Sequence, residues 1–273
     1  MLDAVLEPTP RGRVRVARLG AGPAVLLLHG YPETLQIWSR VAPRLARRFE
    51  VFAFDWPGLG RSDPWEGGAT PAHFADRLRD LMDHWRLGRA HVVGLDMGGQ
   101  PALVCAARHP ARVATVVALN SLVLWDEATS WEIRVLRKMK WNHLLLRRFP
   151  GLVFARAVRT FLPRGEGLTP EAREDFWSAF REPRVRRLLI RMCAGWQATL
   201  PALPEDYARI RAPALALWGE AERHFPPEHG RRLSRIVPGA ELALVPGAGH
   251  WMPWHRAGEV AAALERFLVA GSQ

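Results

Sequence analysis

Gly94-Leu95-Asp96-Met97-Gly98 joins an apolar run, His91–Leu95, to a helical pattern over Gly98–His109. A strand that turns this sharply into a helix leaves no room for a Cβ on either side of the turn, which accounts for glycine at 94 and 98. The residue between them is lifted above the sheet, with its side chain against the helix N-terminus. The usual occupant of such a turn is serine; here it is Asp96. A hydroxyl needs a base to remove its proton before it can attack. A carboxylate, with an ordinary pKa of about 3.9, is already ionised at neutral pH, and the helix dipole favours the charge further. Carboxylate is a poor reagent toward amides and esters but displaces a leaving group at a saturated carbon, giving an alkyl ester that water must then open. His250, in Val-Pro-Gly-Ala-Gly-His-Trp-Met-Pro-Trp, lies just after a late strand and just before the last helix. A base from the far end of the chain reaches back to the turn from there, and it would serve to activate that water. A simple helix cap at Asp96 would leave both glycines and His250 unexplained.

The elements that must position these residues follow from periodicity. Alternating Val and Arg predicts a strand over Arg13–Leu19, and the wholly apolar Ala24–His29 predicts one buried on both faces. Glu50–Asp55, His91–Leu95 and Val113–Leu119 read as further strands, with helices over Gln36–Arg47, Ala72–Trp85 and Gly98–His109. Repeated strand–helix–strand units imply an α/β fold, a mostly parallel sheet of about eight strands with helices on both faces. From 126 to 204 no buried strand is legible; Arg, Trp and Leu recur there at helical spacing. Alternation resumes with a strand at Ala214–Trp218, a helix at Glu228–Ile236, a strand at Glu241–Val245 and a helix at Ala257–Leu268. The expected organisation is a sheet core over 1–125 and 205–273, with an inserted helical cap over 126–204.

The chain has 273 residues and a formal net charge of +11, carried by 36 arginines and only two lysines, Lys138 and Lys140. The arginines are spread along the chain, which reads as compositional bias rather than a nucleic-acid surface. Cys105 and Cys193 sit in apolar helical contexts and read as buried reduced thiols. No apolar run approaches the ~20 residues of a membrane span, and the N-terminus has no apolar signal core. These features set a cytoplasmic expectation, with a small-molecule substrate, no nucleic-acid or membrane partner, and a homodimer left open. The chemistry calls for no cofactor and no metal.

The ordered motifs His-Gly-x-Pro at 29–32, Gly-x-Asp-x-Gly at 94–98 and the late Gly-x-Gly-His ending at His250 resemble the α/β-hydrolase superfamily over nearly the whole chain. His-Gly-Tyr-Pro-Glu-Thr onward and Gly-Leu-Asp-Met-Gly-Gly resemble its epoxide hydrolase and haloacetate dehalogenase branch. The resemblance implies the α/β-hydrolase fold and the chain order nucleophile, acid, histidine. It also implies that the turn after the second strand offers backbone N–H groups to an oxyanion, the candidates being Tyr31 and Met97. The acid that orients His250 would be Glu222, after the strand 214–218. Asn120, after strand 113–119, marks the other place where this fold keeps its acid, but an amide cannot stabilise an imidazolium by charge; Asp126 is a distant third.

The branch's substrate signatures are incomplete. Epoxide hydrolases of this kind use two cap tyrosines, whereas the chain's tyrosines are Tyr31 and Tyr207, neither well inside the cap. Haloacetate dehalogenases carry arginines where this chain has Met97 and Gln100. Haloalkane dehalogenases carry Trp and Asn where it has Met97 and Tyr31. A halide needs N–H donors in an apolar pocket, and the cap offers Trp125, Trp131, Trp141, His143, Trp177 and Trp196. Because Lys-Met-Lys-Trp-Asn-His-Leu-Leu-Leu resembles the halide-binding helix of haloacetate dehalogenases, Trp141 is the expected donor. His29, His143 and Trp251 complete the expected substrate contacts, His29 also shaping its loop. Carbon–halogen cleavage is thereby expected ahead of epoxide opening, with a non-catalytic binding protein as the alternative class.

Overall fold

The computed structural model describes residues 1–271. Eight strands form one sheet: β1 (Val5–Thr9), β2 (Gly12–Leu19), β3 (Ala24–Leu28), β4 (Glu50–Phe54), β5 (Ala90–Leu95), β6 (Val113–Leu119), β7 (Ala214–Gly219) and β8 (Glu241–Val245). Their order is β1-β2-β4-β3-β5-β6-β7-β8. The β1–β2 and β2–β4 pairs are antiparallel and the rest parallel. The central strands β3 and β5 are buried along their whole length. Helices cover both faces, as continuous apolar strands require.

Helices α1 (Ala42–Leu45), α2 (Pro71–His84) and α3 (Gly99–Arg108) follow the early strands, and α10 (Glu228–Ile236), α11 (Met252–His255) and α12 (Ala257–Ala270) the late ones. Between β6 and β7 the chain forms α4 (Trp131–Arg137), α5 (Met139–Arg148), α6 (Pro150–Phe161), α7 (Pro170–Phe180), α8 (Pro183–Thr199) and α9 (Leu203–Tyr207), with no strand among them. A buried ionic cluster fastens this insertion to the sheet: Arg15 on β2 donates to both carboxylate oxygens of Asp175 on α7, at 2.8 and 3.1 Å, and Thr34 donates to the same group at 2.6 Å. Arg15 also meets Asp55, at 3.5 Å.

Two local expectations change. The single helix expected over 36–47 is a tight turn at Leu35–Trp38 and a separate α1. Pro43 offers no N–H to the carbonyl of Ser39 and its ring crowds that carbonyl, so the helix breaks there. Strand β1 is not anticipated by the sequence pattern: it is a largely exposed edge containing Pro8, without the apolar alternation that marks a strand.

The turn after β5 has the geometry its glycines imply. Asp96 takes a positive φ of 50°, rare for a residue with a side chain. A Cβ on Gly94 would lie 2.2 Å from the carbonyl oxygen of Gly98, and one on Gly98 would lie 2.7 Å from that of Leu28. Gly94→Ala is therefore expected to lower stability by at least about 2 kcal/mol, read as a fall in the urea midpoint. Gly88→Ala, where a Cβ meets nothing within 4 Å, is expected to stay within about 0.5 kcal/mol of wild type. Equal losses at the two positions would contradict this account of the turn.

Candidate active site

Asp96 stands at the carboxyl end of the sheet, buried, with its Oδ2 accepting the Tyr31 amide at 2.8 Å. The Met97 amide also donates to the carboxylate. The two amides expected to form an oxyanion site thus meet at Asp96. Gly30 is what allows the approach: a Cβ there would fall 2.5 Å from Asp96 Oδ2. Ser121 Oγ donates to the Asp96 carbonyl at 2.6 Å, fixing the backbone of the turn from β6.

His250 is buried, and its Nδ1 donates to Glu222 Oε2 at 2.8 Å. The other oxygen of Glu222 accepts the backbone amides of His224 and Phe225, so the carboxylate is oriented before the imidazole meets it. Glu222 is the expected orienting acid. Asn120 does something else. Its Nδ2 donates to the carbonyls of Gly249 and His250 at 3.0 and 2.9 Å, and its Oδ1 accepts the Gly219 amide. It clamps the histidine loop to the ends of β6 and β7. Asp126 lies on the surface, paired with Arg232. Phe161 packs its ring 4.3 Å from that of His250, centre to centre. His250 Nε2 has no partner within the protein.

The charges depend on one another. Burial pushes Asp96 up to about 6, against the pull of His250 and the two amides. Burial alone would lower His250, but Glu222 and then Asp96 more than reverse this and raise it to about 9. Glu222 stays below its ordinary value because His250 and the His224 amide outweigh its burial. The cluster thus favours negative charge at Glu222 and positive charge at His250, while burial weakens the acid at Asp96. The margin by which Asp96 remains ionised is narrower than its solution pKa implies.

A third carboxyl group, one that the sequence pattern does not mark, completes the cluster. Glu33 is buried, accepts the Gly30 amide at 2.9 Å through Oε1 and the Trp251 indole N–H at 2.9 Å through Oε2. Burial, with Asp96 nearby, pushes it up to about 8. The signal was its place three residues after Gly30 in the turn that carries the Tyr31 amide.

None of the four expected substrate contacts lines the chamber beside Asp96. Trp141 is 53% exposed and is absent from the lining of the chamber beside Asp96. His143 is exposed on the same helix. Asn142 and Leu146, one turn apart on the opposite face of α5, line the chamber instead. Trp251 is buried and spends its N–H on Glu33. His29 is structural: its Nε2 accepts the Trp56 amide at 3.2 Å and its carbonyl accepts the Trp56 indole. The chamber, of about 80 Å³, is lined by Tyr31, Gln100, Trp125, Cys193 and Trp196 among others. The Tyr31 hydroxyl and the Trp196 indole N–H are buried without a partner within the protein.

A family model for the alpha/beta hydrolase fold matches residues 23–257. The chain belongs to the α/β-hydrolase fold family and is a hydrolase. It is 27% identical to a 2-hydroxy-6-oxononadienedioate/2-hydroxy-6-oxononatrienedioate hydrolase of Cupriavidus pinatubonensis, over 90% of this chain and 86% of that protein. It is 30% identical to a fluoroacetate dehalogenase of a Burkholderia species, over 60% of this chain and 59% of that one. A solved structure of a candidate epoxide hydrolase from Pseudomonas aeruginosa superposes with a TM-score of 0.82 at 28% identity, covering 99% of this chain and 96% of that one.

The coupling at the site makes a prediction. Because the Glu33 carboxylate supports the charge on His250, Glu33→Gln is expected to lower the His250 titration midpoint from about 9, followed by NMR of the imidazole. An unchanged or raised midpoint would show that the two groups do not interact.

Proposed function

We propose that this chain hydrolyses a bond at a saturated carbon in two steps, through an alkyl ester on Asp96. The observation that carries the reading is the elbow carboxylate gripped by the Tyr31 and Met97 amides, within electrostatic reach of a Glu222-oriented histidine. In the first step a carboxylate oxygen of Asp96 attacks carbon, and the leaving group departs with the bonding pair. The ester that forms carries no charge. Asp96 then no longer supports the imidazolium, so His250 drops from about 9 and releases its proton to solvent. In the second step neutral His250 takes a proton from water through Nε2 as that water attacks the ester carbonyl carbon. The developing oxyanion falls between the Tyr31 and Met97 amides. Its collapse expels the alcohol and restores Asp96. Residues 126–204 act as the cap that keeps bulk water from the ester until His250 is ready.

A carbon–halogen bond is the first reading for the bond broken. A halide is a weak base that needs hydrogen bonds rather than a proton; Tyr31 and Trp196 line the chamber, and their O–H and N–H are buried without a partner within the protein. They replace Trp141 in that role. The fluoroacetate dehalogenase relative is in keeping with this reading. Epoxide opening is the second reading, favoured by the Tyr31 hydroxyl and by the candidate epoxide hydrolase structure. It ranks lower because burial pushes the Tyr31 phenol well above its ordinary value, which makes it a reluctant proton donor to an alkoxide. The substrate is a small molecule, and free thiols at Cys105 and Cys193 fit a cytoplasmic setting. Among the described residues no helix is long and apolar enough to cross a membrane.

Halide release and diol formation, measured across 1-haloalkanes, haloacids and terminal epoxides, distinguish the two readings. Halide from the first group is expected; diol from styrene oxide with no halide from any substrate would reverse the order. Multiple turnover in ¹⁸O-water is expected to place label in the Asp96 carboxylate, because water attacks its carbon; label found only in product would exclude the ester. The single-turnover rate of the first step is expected to fall as pH drops through about 6, where Asp96 takes up a proton. An acid limb near the ordinary carboxylate range would mean that Asp96 is not buried during attack.

A further inference from the structure

A second chamber, of about 530 Å³, adjoins the Asp96 chamber of about 80 Å³. Tyr31, Ile133, Leu136 and Phe161 line both, so only these four side chains stand between the two. The inner space admits only a few heavy atoms, given about 30 Å³ for a water-sized group. The outer one lies among α4, α5 and α6, walled by side chains such as Trp131, Trp141, Leu145, Leu152 and Val153. Of the three charged side chains in its wall, Arg156 and Glu132 pair with one another, Arg156 Nη2 donating to Glu132 Oε1 at 2.6 Å, and the third is Lys138. The Arg156 guanidinium also lies 5.1 Å from the centre of the Trp131 ring. Trp131 and Trp141 are each 53% exposed and Leu152 66%. Large apolar side chains left this open around a cavity mark a ligand surface.

We propose that the outer chamber holds the apolar tail of the substrate, so that the enzyme prefers a reacting carbon at the end of an extended alkyl or arylalkyl chain. The inference rests on the Asp96 reading for the reacting end, while the tail site stands on its own geometry. The reacting carbon enters the inner chamber past Ile133 and Phe161, and the chain behind it lies against Trp141, Leu145 and Val153. Trp141 thereby belongs to tail binding rather than to leaving-group stabilisation.

The test uses the whole protein and two measurements. In the first, kcat/KM is measured for 1-haloalkanes and for terminal epoxides of three to ten carbons. Each added methylene is expected to raise it roughly three- to fourfold until the chamber is filled. Val153→Trp, which fills the chamber, and Trp141→Ala, which removes part of its wall, are each expected to cut the eight-carbon over three-carbon ratio at least tenfold. A flat or falling series in active wild-type enzyme overturns the tail site and leaves the Asp96 reading standing. In the second, Asp96→Asn protein is titrated with 1-alkanols of the same lengths, followed by tryptophan fluorescence. Affinity that rises with chain length and is lost in Val153→Trp upholds the chamber even if no substrate of the series turns over, in which case the Asp96 reading is what fails. Affinity independent of chain length overturns the proposal.

Discussion

Burying the Asp96 carboxylate among apolar side chains removes the water that would otherwise carry its charge, a loss of several kcal/mol per ion, and pushes its pKa up to about 6. Most of the surrounding architecture answers that loss. The positive φ of Asp96 swings the carboxylate off the end of β5 toward the turn after β3. Gly30, Gly94 and Gly98 remove the Cβ atoms that would block this approach. The Tyr31 and Met97 amides supply hydrogen bonds, and the imidazolium of His250 supplies the opposite charge. The same donors that steady the resting carboxylate are in place for the oxyanion of its ester, so ground-state stability and proposed chemistry use one set of groups.

The second consequence is a coupling that runs through three elements far apart in sequence. Glu222 leaves the end of β7, His250 follows β8, and Glu33 stands in the turn after β3. Asn120 holds the histidine loop to β6 and β7, and Trp251 links that loop to Glu33. The insertion closes the cluster from above through Phe161, whose carbonyl accepts the Trp251 amide and whose ring faces His250. Neutralising any one charge alters the proton affinity of the others. Esterification of Asp96 would be such an event, turning His250 from a counter-ion into a base without moving an atom of the scaffold.

The sheet and the glycine-flanked turn at Asp96 are legible in the sequence because each rests on a local signature. A wholly apolar five-residue run marks β3, a seven-residue run interrupted only by Thr115 marks β6, and the glycine pair around Asp96 follows from backbone crowding that any sequence must obey. Glu222 could be singled out because its loop follows a buried strand. The insertion was less legible for a physical reason. Its helices are apolar on more than one side, since one face meets the sheet domain and another meets the outer chamber. On α5 both Trp141 and Leu146 satisfy helical spacing, and only packing shows that Asn142 and Leu146 turn toward Asp96. Glu33 is faintly marked because a glutamate in a loop ordinarily faces water, and only its place three residues after Gly30 ties it to the turn at Asp96. The edge strand β1 lacks apolar alternation because neither of its faces is buried.

The central claim is that Asp96 becomes covalently alkylated and that opening of its ester requires His250. Intact-protein mass spectrometry of His250→Gln after exposure to a terminal 1-haloalkane or epoxide tests it directly. The account predicts one adduct per chain, with the mass of the alkyl group, mapping to Asp96 and absent when Asp96→Asn is added. A His250→Gln enzyme that turns over at the wild-type rate, or one that cleaves substrate without any mass gain on Asp96, would contradict it.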